Sequence, residues 1–329
     1  MTRRRSERAL GEFELIARYF SPLATSHGAL GLTDDVALLR LRPGRDLVLT
    51  ADAIVEDVDF LGTDPPDTVG QKALRVNLSD LAAKGAKPIG YLLTLAIPAN
   101  CGASWIKAFA AGLARDQRRF GISLLGGDTT RTNGPLTVAI TALGEVASGD
   151  AILRAGARPG DRVYVTGTVG DAAAGLELLR RKRAARKGAN ALVSRYRLPQ
   201  PRLDVGRELR GVAHAAIDIS DGLVADLGHI AEVSRVRIVI DAWRVPLSVA
   251  LRKHWGPMEK TQIRAATAGD DYEIAFTCSP DKAAKVRALA RKSRVAITEV
   301  GRVEKGRGIA LLDARGRPIR LKTRGYTHF

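Results

Sequence analysis

Leu124-Leu125-Gly126-Gly127-Asp128-Thr129-Thr130 is the stretch whose reading decides the fold. Its apolar run reads as a buried strand that stops at two glycines, an aspartate and two threonines. Glycine lets a backbone approach a ligand closely, and open α/β sheets bind ligands at the carboxyl ends of their strands. Gly-Gly-Asp-Thr alone is equally ordinary turn chemistry. Its weight comes from repetition. Thr33-Asp34-Asp35, Thr50-Ala51-Asp52, Asn77-Leu78-Ser79-Asp80 and Asp218-Ile219-Ser220-Asp221-Gly222 also carry an apolar run to acidic or hydroxyl residues. Together they raise the expectation that five segments converge on one metal-phosphate site.

Working outward, the spacing predicts a helix over 11–24 with Phe13, Ile16 and Phe20 on one face, ended by Ser21-Pro22. Asp34-Asp35 should lead into a strand. A second strand over 47–55 contains Asp52, and an aspartate buried in an apolar strand is costly unless paired or metal-bound. A helix over 69–84 turns Leu74, Leu78 and Leu81 to the core and offers Asn77 and Asp80 nearby. A strand at 91–98, an amphipathic helix at 105–120, the Gly-Gly-Asp-Thr strand and a strand at 136–146 complete a first domain, 1–148. Ser148-Gly149-Asp150 marks the boundary of a second α/β domain, 149–329. Its elements are a strand at 162–166, a helix capped by Asp171, and a strand over 213–222 followed by a helix at 223–234. Strands at 236–241 and 274–277, a helix at 281–292 and two short strands follow.

The 329 residues suit two domains, each able to bury its own core. With 45% hydrophobic and 26% charged residues the composition is globular. No apolar run reaches the roughly 18 residues of a membrane span, and Glu7, Arg8, Glu12 and Glu14 interrupt any secretory core near the amino terminus. Cys101 and Cys278 stand far apart without metal spacing, which together with the missing leader points to a reducing cytoplasm and away from a membrane. The net charge of +17 raises nucleic acid as a partner. The basic residues, however, collect at 3–5, in the run 180–187 and towards the carboxyl end, and only 5% of residues are aromatic. Without a finger or ribonucleoprotein motif they read as a solvated surface, with no nucleic-acid partner.

Several aspartates in one cleft repel by roughly 4 kcal/mol per pair at ~4 Å near a surface, so cations must offset them. Aspartate with Ser/Thr hydroxyls suits octahedral Mg²⁺, and several Mg²⁺ ions suit a polyphosphate. There is no Gly-x-x-x-x-Gly-Lys-Ser/Thr loop, no Gly-x-Gly-x-x-Gly and no Gly-x-Ser-x-Gly elbow. ATP would therefore be held through carboxylate-bound Mg²⁺ and glycine-turn amides, with no side-chain nucleophile. Each segment also has a plainer reading: Asp34-Asp35 and Asp128 as turn residues, Asp80 as a helix-surface charge, Asp218 or Asp221 as a helix cap, His254 and His328 as surface residues.

The motifs taken together resemble a known family. Gly11-Glu12-Phe13, Asp34-Asp35, Lys72-Ala73-Leu74, 76–83, Gly126-Gly127-Asp128-Thr129, 156–161, Pro201-Arg202, 217–223 and Gly269-Asp270-Asp271-Tyr272-Glu273 are similar to the thiamine-monophosphate kinases of the aminoimidazole-ribonucleotide-synthetase-like ATP-binding superfamily. The resemblance runs nearly end to end. It implies an α/β (α+β) two-domain fold whose amino-terminal strands pair in a homodimer, the carboxyl-terminal domain completing the active site. It implies transfer of phosphate from ATP to thiamine monophosphate, giving thiamine diphosphate, with several Mg²⁺ ions.

By position, Asp35, Thr50, Asp52, Asp80, Asp128, Asp218 and Asp221 resemble the Mg²⁺ set. Gly127, Asp128, Arg154 and Ser220 resemble ATP contacts. Asp59, Asp270 and an aromatic of the Tyr326…Phe329 segment fall where the substrate is held. Three departures stand out: Ala51 where a hydroxyl is usual, Asp57 for a glycine, and Asp59 for a substrate-contacting histidine. They leave open a non-catalytic nucleotide- or thiamine-phosphate-binding paralogue. Another ATP-using superfamily member is the remaining alternative. A selenophosphate synthetase or hydrogenase-maturation protein would carry a reactive cysteine near its amino-terminal glycine loop or at its carboxyl end, and this sequence has neither.

Overall fold

The structure is a computed structural model that describes residues 11–183 and 189–326. The basic residues 3–5, Arg186 and Lys187, together with His328 and Phe329, lie outside the described residues. The chain forms two compact units: Met1–Asn77 with Pro88–Glu145, and Leu78–Lys87 with Val146–Phe329.

The first unit is built on a four-stranded sheet in the order β1-β4-β2-β3. Its strands are β1 (Arg45–Val55), β2 (Lys87–Pro98), β3 (Ser123–Thr132) and β4 (Thr137–Ala147). In β4 every second residue is buried, Val138, Ile140 and Ala142 among them, the period expected when one face of a sheet is covered. Helices α2 (Pro66–Ala83) and α3 (Ala103–Phe120) bury Leu74, and Phe109 and Leu113, in this unit; Leu78 and Leu81, also buried, lie in the end of α2 that belongs to the second unit. The two helices approach closely at Gly112, where an added Cβ would lie 2.0 Å from the Asp67 carbonyl oxygen. A buried ion pair also ties them: Arg75 Nε donates to Asp116 Oδ2 at 2.6 Å and Gln71 Nε2 to Asp116 Oδ1 at 2.8 Å.

Four sequence expectations are corrected here. The amino-terminal helix is a single turn, α1 (Glu12–Leu15), running into wider and tighter turns; Phe20 is buried as expected, but Phe13 is exposed, and Leu15 and Leu23 join Phe20 in the core. Residues 36–39 form no strand, because among the described residues the backbone after Asp35 finds no ladder: Val36 N–H turns back to Asp34 Oδ1 at 3.2 Å and Leu38 N–H bonds to the Gly28 carbonyl at 2.8 Å. Asp52 is exposed, so no desolvation cost arises at it. The Gly-Gly-Asp-Thr strand does not stop at its glycines. β3 runs on to Thr132 because the parallel register with β2 continues, pairing Thr94 with Asp128 and Pro98 with Thr132.

The second unit holds a six-stranded mixed sheet in the order β10-β7-β9-β5-β8-β6. These are β5 (Arg162–Thr166), β6 (Ala215–Asp218), β7 (Arg237–Asp241), β8 (Ile274–Cys278), β9 (Ile297–Glu304) and β10 (Gly308–Leu312). Its helices are α4 (Asp171–Arg180), α5 (Ala189–Arg197), α6 (Leu203–Leu209), α7 (Leu223–Ser234), α8 (Val249–Trp255), α9 (Met258–Ala266) and α10 (Ala283–Ser293). Val163, Val165, Ile217, Leu227, Ile238 and Val300 lie in its core. Asp171 does not cap α4. Its carboxylate accepts from the Thr168 and Ser248 hydroxyls, and the amides at the helix start go to Asp271: Gly170 N–H at 2.5 Å and Ala172 N–H at 3.4 Å. Among the described residues no helix is long and apolar enough to cross a membrane.

Candidate functional site

In the second unit three segments distant in sequence are stitched backbone to backbone. Ile219 N–H donates to the Glu273 carbonyl at 2.8 Å, Tyr272 N–H to Ile219 at 2.7 Å and Asp270 N–H to Ser220 at 2.6 Å. Tyr326 N–H reaches the Asp221 carbonyl at 2.9 Å. The Asp-Ile-Ser-Asp-Gly turn, the Gly-Asp-Asp-Tyr-Glu segment and Gly325-Tyr326 thus converge after the end of β6. The approach demands glycine: an added Cβ on Gly269 would lie 2.4 Å from the Ser220 carbonyl oxygen, and one on Gly325 2.6 Å from that of Asp221. Asp270 and Tyr272 both take positive φ, +73° and +53°, so the backbone between them is wound tightly.

The structure therefore brings together Asp218, Ser220, Asp221, Asp270 and Tyr326. Tyr326 is half exposed and, with Asp221, His229, Arg307 and Arg324, lines a groove of about 1240 Å³ between α7 and β10. Asp80 and Arg154 sit by β6 as well. Lys84 continues α2 past Ala83, its N–H bonded to the Asp80 carbonyl at 3.1 Å, and its Nζ donates to the Ala216 carbonyl at 2.9 Å. Burial lowers the Lys84 ammonium to about 8; Arg154 pushes in the same direction, and Asp218 and Asp80 oppose it.

Asp226, one turn into α7, holds the Asp-Ile-Ser-Asp-Gly turn in place. Its Oδ2 accepts the N–H groups of Asp221 at 3.2 Å and Gly222 at 3.0 Å. Burial, with the Asp221 carboxylate beside it, pushes Asp226 up to about 7. The ligand atoms of Asp221, Asp226 and His229 lie within 4.8 Å of one another. Behind Asp270, Glu273 is fully buried and accepts from the Thr166 hydroxyl at 2.6 Å, Arg195 at 2.8 Å and Arg202 Nε at 2.7 Å. Asp271 is held well above the ordinary carboxylate range by burial.

In the first unit Asp35 lies in an exposed bend. Thr50 and Asp52 share one face of β1, and Asp52 N–H donates to Asn77 Oδ1 on α2 at 3.1 Å. Gly127 passes so close to β2 that an added Cβ would lie 1.8 Å from the Leu93 carbonyl oxygen. Asp128 follows it, with one oxygen accepting Thr129 N–H at 2.9 Å. The sheet does not bring Asp52 and Asp128 side by side: β1 and β3 are its outer strands, three spacings or about 14 Å apart.

Asp57 and Asp59 build a turn. Asp57 has a φ of +64°, where aspartate is among the few residues tolerated after glycine, and its Oδ1 accepts Gly62 N–H at 3.2 Å. Asp59 Oδ2 accepts Val55 N–H at 2.9 Å, and its carbonyl takes the buried Lys72 ammonium at 2.8 Å.

Sequence reasoning missed Lys84 and Asp226 as working parts, and reached Asp271 and Glu273 only as members of the Gly-Asp-Asp-Tyr-Glu motif. The available signals were Lys84 four residues beyond Asp80 on one helix face, and acidic residues inside otherwise apolar segments. The donor set fits a hard cation. Asp80, Ser220, Asp221 and Asp218 offer oxygens alone, whereas burial drives the thiols of Cys101 and Cys278 up to about 11 and about 12, which keeps them protonated.

Comparison with known proteins identifies the family. Residues 33–146 match the AIR synthase related protein N-terminal domain, and 158–313 the corresponding C-terminal domain. The thiamine-monophosphate kinase of Caulobacter vibrioides is 42% identical over 322 residues, covering 96% of this chain and 90% of that protein. The crystal structure of the thiamine-monophosphate kinase from Stenotrophomonas maltophilia K279a superposes with a TM-score of 0.83 at 40% identity, covering 92% of this chain and 96% of that one. A structure described as AaThiL complexed with AMPPCP and TMP gives a TM-score of 0.78 at 33% identity over 100% of both chains. With the motifs, the two-unit fold and these matches in agreement, the chain belongs to the thiamine-monophosphate kinase family of the AIR synthase related proteins.

Proposed function

We infer that this protein is a thiamine-phosphate kinase, moving the terminal phosphoryl group of ATP onto the phosphate of thiamine monophosphate to give thiamine diphosphate and ADP. The observation that carries the reading is the convergence of Asp218, Ser220, Asp221, Asp270 and Tyr326 in one end of the second unit, in a chain whose full-length relative bears an ATP analogue and TMP. The acceptor phosphate has a second pKa of about 6, so it is largely ionised near neutral pH and needs no general base. The difficulty is charge: two anionic groups must approach in line.

The residues present answer that difficulty. We assign Asp35, Thr50, Asp52 and Asp128 in the first unit, and Asp80, Asp218 and Asp221 in the second, as the oxygens that hold several Mg²⁺ ions. Mg²⁺, when bound, supplies the positive charge that screens phosphate from phosphate. Gly127 and Ser220 offer backbone and hydroxyl contacts to ATP, and Arg154, exposed on its segment, offers a guanidinium for phosphate. Asp270 and Tyr326 are assigned to the thiamine side, supported by the groove that Tyr326 lines. Phe329 keeps its assignment there from the motif alone, as does Asp59, whose Oδ2 is already bonded to Val55 N–H.

A homodimer is part of this reading. β1 is an eleven-residue edge strand in which only Ile54 is fully buried and Leu49 is 59% exposed, and in the same unit Val36 and Leu38 are exposed at 57% and 65%. Such an edge with apolar neighbours is what a second chain covers. The function and its setting in the cytoplasm follow the family reading. Incubation with ATP and either thiamine or thiamine monophosphate tests the acceptor: consumption of the monophosphate alone is expected. Phosphorylation of free thiamine, or of neither, contradicts the assignment.

A further inference from the structure

Three segments of the second unit that carry proposed metal and ATP groups are joined through one residue. Lys84 N–H bonds to the carbonyl of Asp80, one helical turn earlier, at 3.1 Å. The Lys84 carbonyl accepts Ile152 N–H at 3.2 Å, which anchors the strand of chain leading to Arg154. That segment is in turn fixed to β6, since Ala216 N–H donates to the Leu153 carbonyl at 3.0 Å. The Lys84 ammonium closes the ring by donating to the Ala216 carbonyl at 2.9 Å, two residues before Asp218. Asp80, Arg154 and Asp218 are therefore held in mutual register by a closed circuit of hydrogen bonds, in which every partner is a backbone group except the Lys84 ammonium.

We propose that Lys84 is a positioning residue that serves as the resident counter-cation of Asp80 and Asp218, holding these carboxylates apart from open repulsion before metal arrives and moderating their affinity for Mg²⁺. The proposal rests on the assignment of Asp80 and Asp218 as Mg²⁺ ligands. Carboxylates gathered for a divalent ion repel when the ion is absent. An ammonium pinned to the Ala216 carbonyl cannot swing fully into a ligand's place, so it offsets part of that charge without occupying the position of the ion. The same charge repels an incoming Mg²⁺, and binding is correspondingly weaker and more readily reversed. Lysine suits this role because its compact charge ends a flexible stem that reaches the β6 backbone from α2.

The test is calorimetric titration of MgCl₂ into the nucleotide-free protein. Lys84→Gln keeps a donor for Ala216 while removing the charge, and is expected to bind Mg²⁺ about tenfold more tightly than the wild type. Lys84→Arg, which keeps the charge, is expected to stay within about threefold of the wild type. A merely structural strut would leave affinity unchanged or weaken it in Lys84→Gln, and either result overturns the proposal. If Lys84→Gln does not fold, Lys84→Arg decides, since a tenfold shift in it contradicts a role carried by charge. Asp80→Asn separates the two layers. Loss of Mg²⁺ binding in Asp80→Asn with unchanged affinity in Lys84→Gln overturns the role of Lys84 alone, whereas wild-type binding in Asp80→Asn overturns the ligand assignment and this proposal with it.

Discussion

The backbone N–H of Asp270 donates to the carbonyl oxygen of Ser220 over 2.6 Å, joining the segment assigned to the thiamine side to the turn assigned to ATP. Asp270 makes that bond at a φ of +73°, a conformation most side chains avoid. The surrounding backbone bonds and the buried anchors Asp271 and Glu273 hold it there.

If Asp270 contacts the substrate, its carboxylate matters to one ligand only. Asp270→Asn keeps size and backbone preference, and is expected to raise KM for thiamine monophosphate by about tenfold with KM for ATP little changed. Steady-state kinetics in both substrates checks this; an equal rise in both KM values would point to collapse of the turn instead.

Glu273 supplies the footing. It is fully buried and bonded to Arg195, Arg202 and Thr166, so Glu273→Ala leaves guanidinium groups without their partner. A loss of about 3–5 kcal/mol in denaturant unfolding is expected, the range for breaking a buried pair from one side. A loss below about 1 kcal/mol would show that the arginines find new partners easily.

Asp271 gives stability a pH dependence of known sign. Burial raises its folded-state pKa above that of the unfolded chain. Its contribution is then fully present below the unfolded value of about 3.9 and is lost as pH rises towards the folded value, because the buried form prefers its proton. Asp271→Asn has no proton to lose. Between pH 4 and 8 the melting temperature of the wild type should fall relative to that of Asp271→Asn, and parallel curves would contradict the argument.

At Gly127 a methyl group would meet the Leu93 carbonyl at 1.8 Å, with backbone on both sides of the clash. Gly127→Ala should therefore cost roughly 2–4 kcal/mol of stability, measured by denaturant unfolding, and disturb Asp128 next to it. A variant as stable as the wild type would mean that β2 and β3 part readily.

The residues that converge in the second unit were legible in the sequence because they sit in short turns with their own grammar. Asp-Ile-Ser-Asp-Gly announces the end of β6 and Gly-Asp-Asp-Tyr-Glu the start of β8, and the glycines that permit their stacking are visible as letters. What joins them was not legible. Asp271 serves the amides of a helix start about a hundred residues away, and Asp226 reaches back to the turn before its own helix; nothing local in the sequence marks either role. Asp171 looked like a cap because it begins a helix, but its oxygens were taken by Thr168 and Ser248. The run after Asp35 had strand chemistry, yet a strand exists only where a partner ladder does, and within this chain 36–39 has none. Asp52 misled for the same reason: on an edge strand an apolar pattern does not imply burial.

The departures at Asp57 and Asp59 now have a local account. Asp57 fits the left-handed turn that favours glycine, and Asp59 closes that turn through Val55 N–H. Asp59→His removes this closure, and a KM for thiamine monophosphate that falls in the variant would show that the aspartate weakens substrate binding; an unchanged or higher KM would show that its place in the turn outweighs its charge.

The most direct measurement is chromatographic detection of thiamine diphosphate formed from thiamine monophosphate and ATP, with Mg²⁺ and with EDTA, in the wild type and in Asp80→Asn and Asp128→Asn. The account predicts Mg²⁺-dependent product in the wild type and a loss of at least about a hundredfold in each variant with its fold intact. No product from a wild-type protein that still binds ATP, or wild-type turnover in both variants, would contradict it.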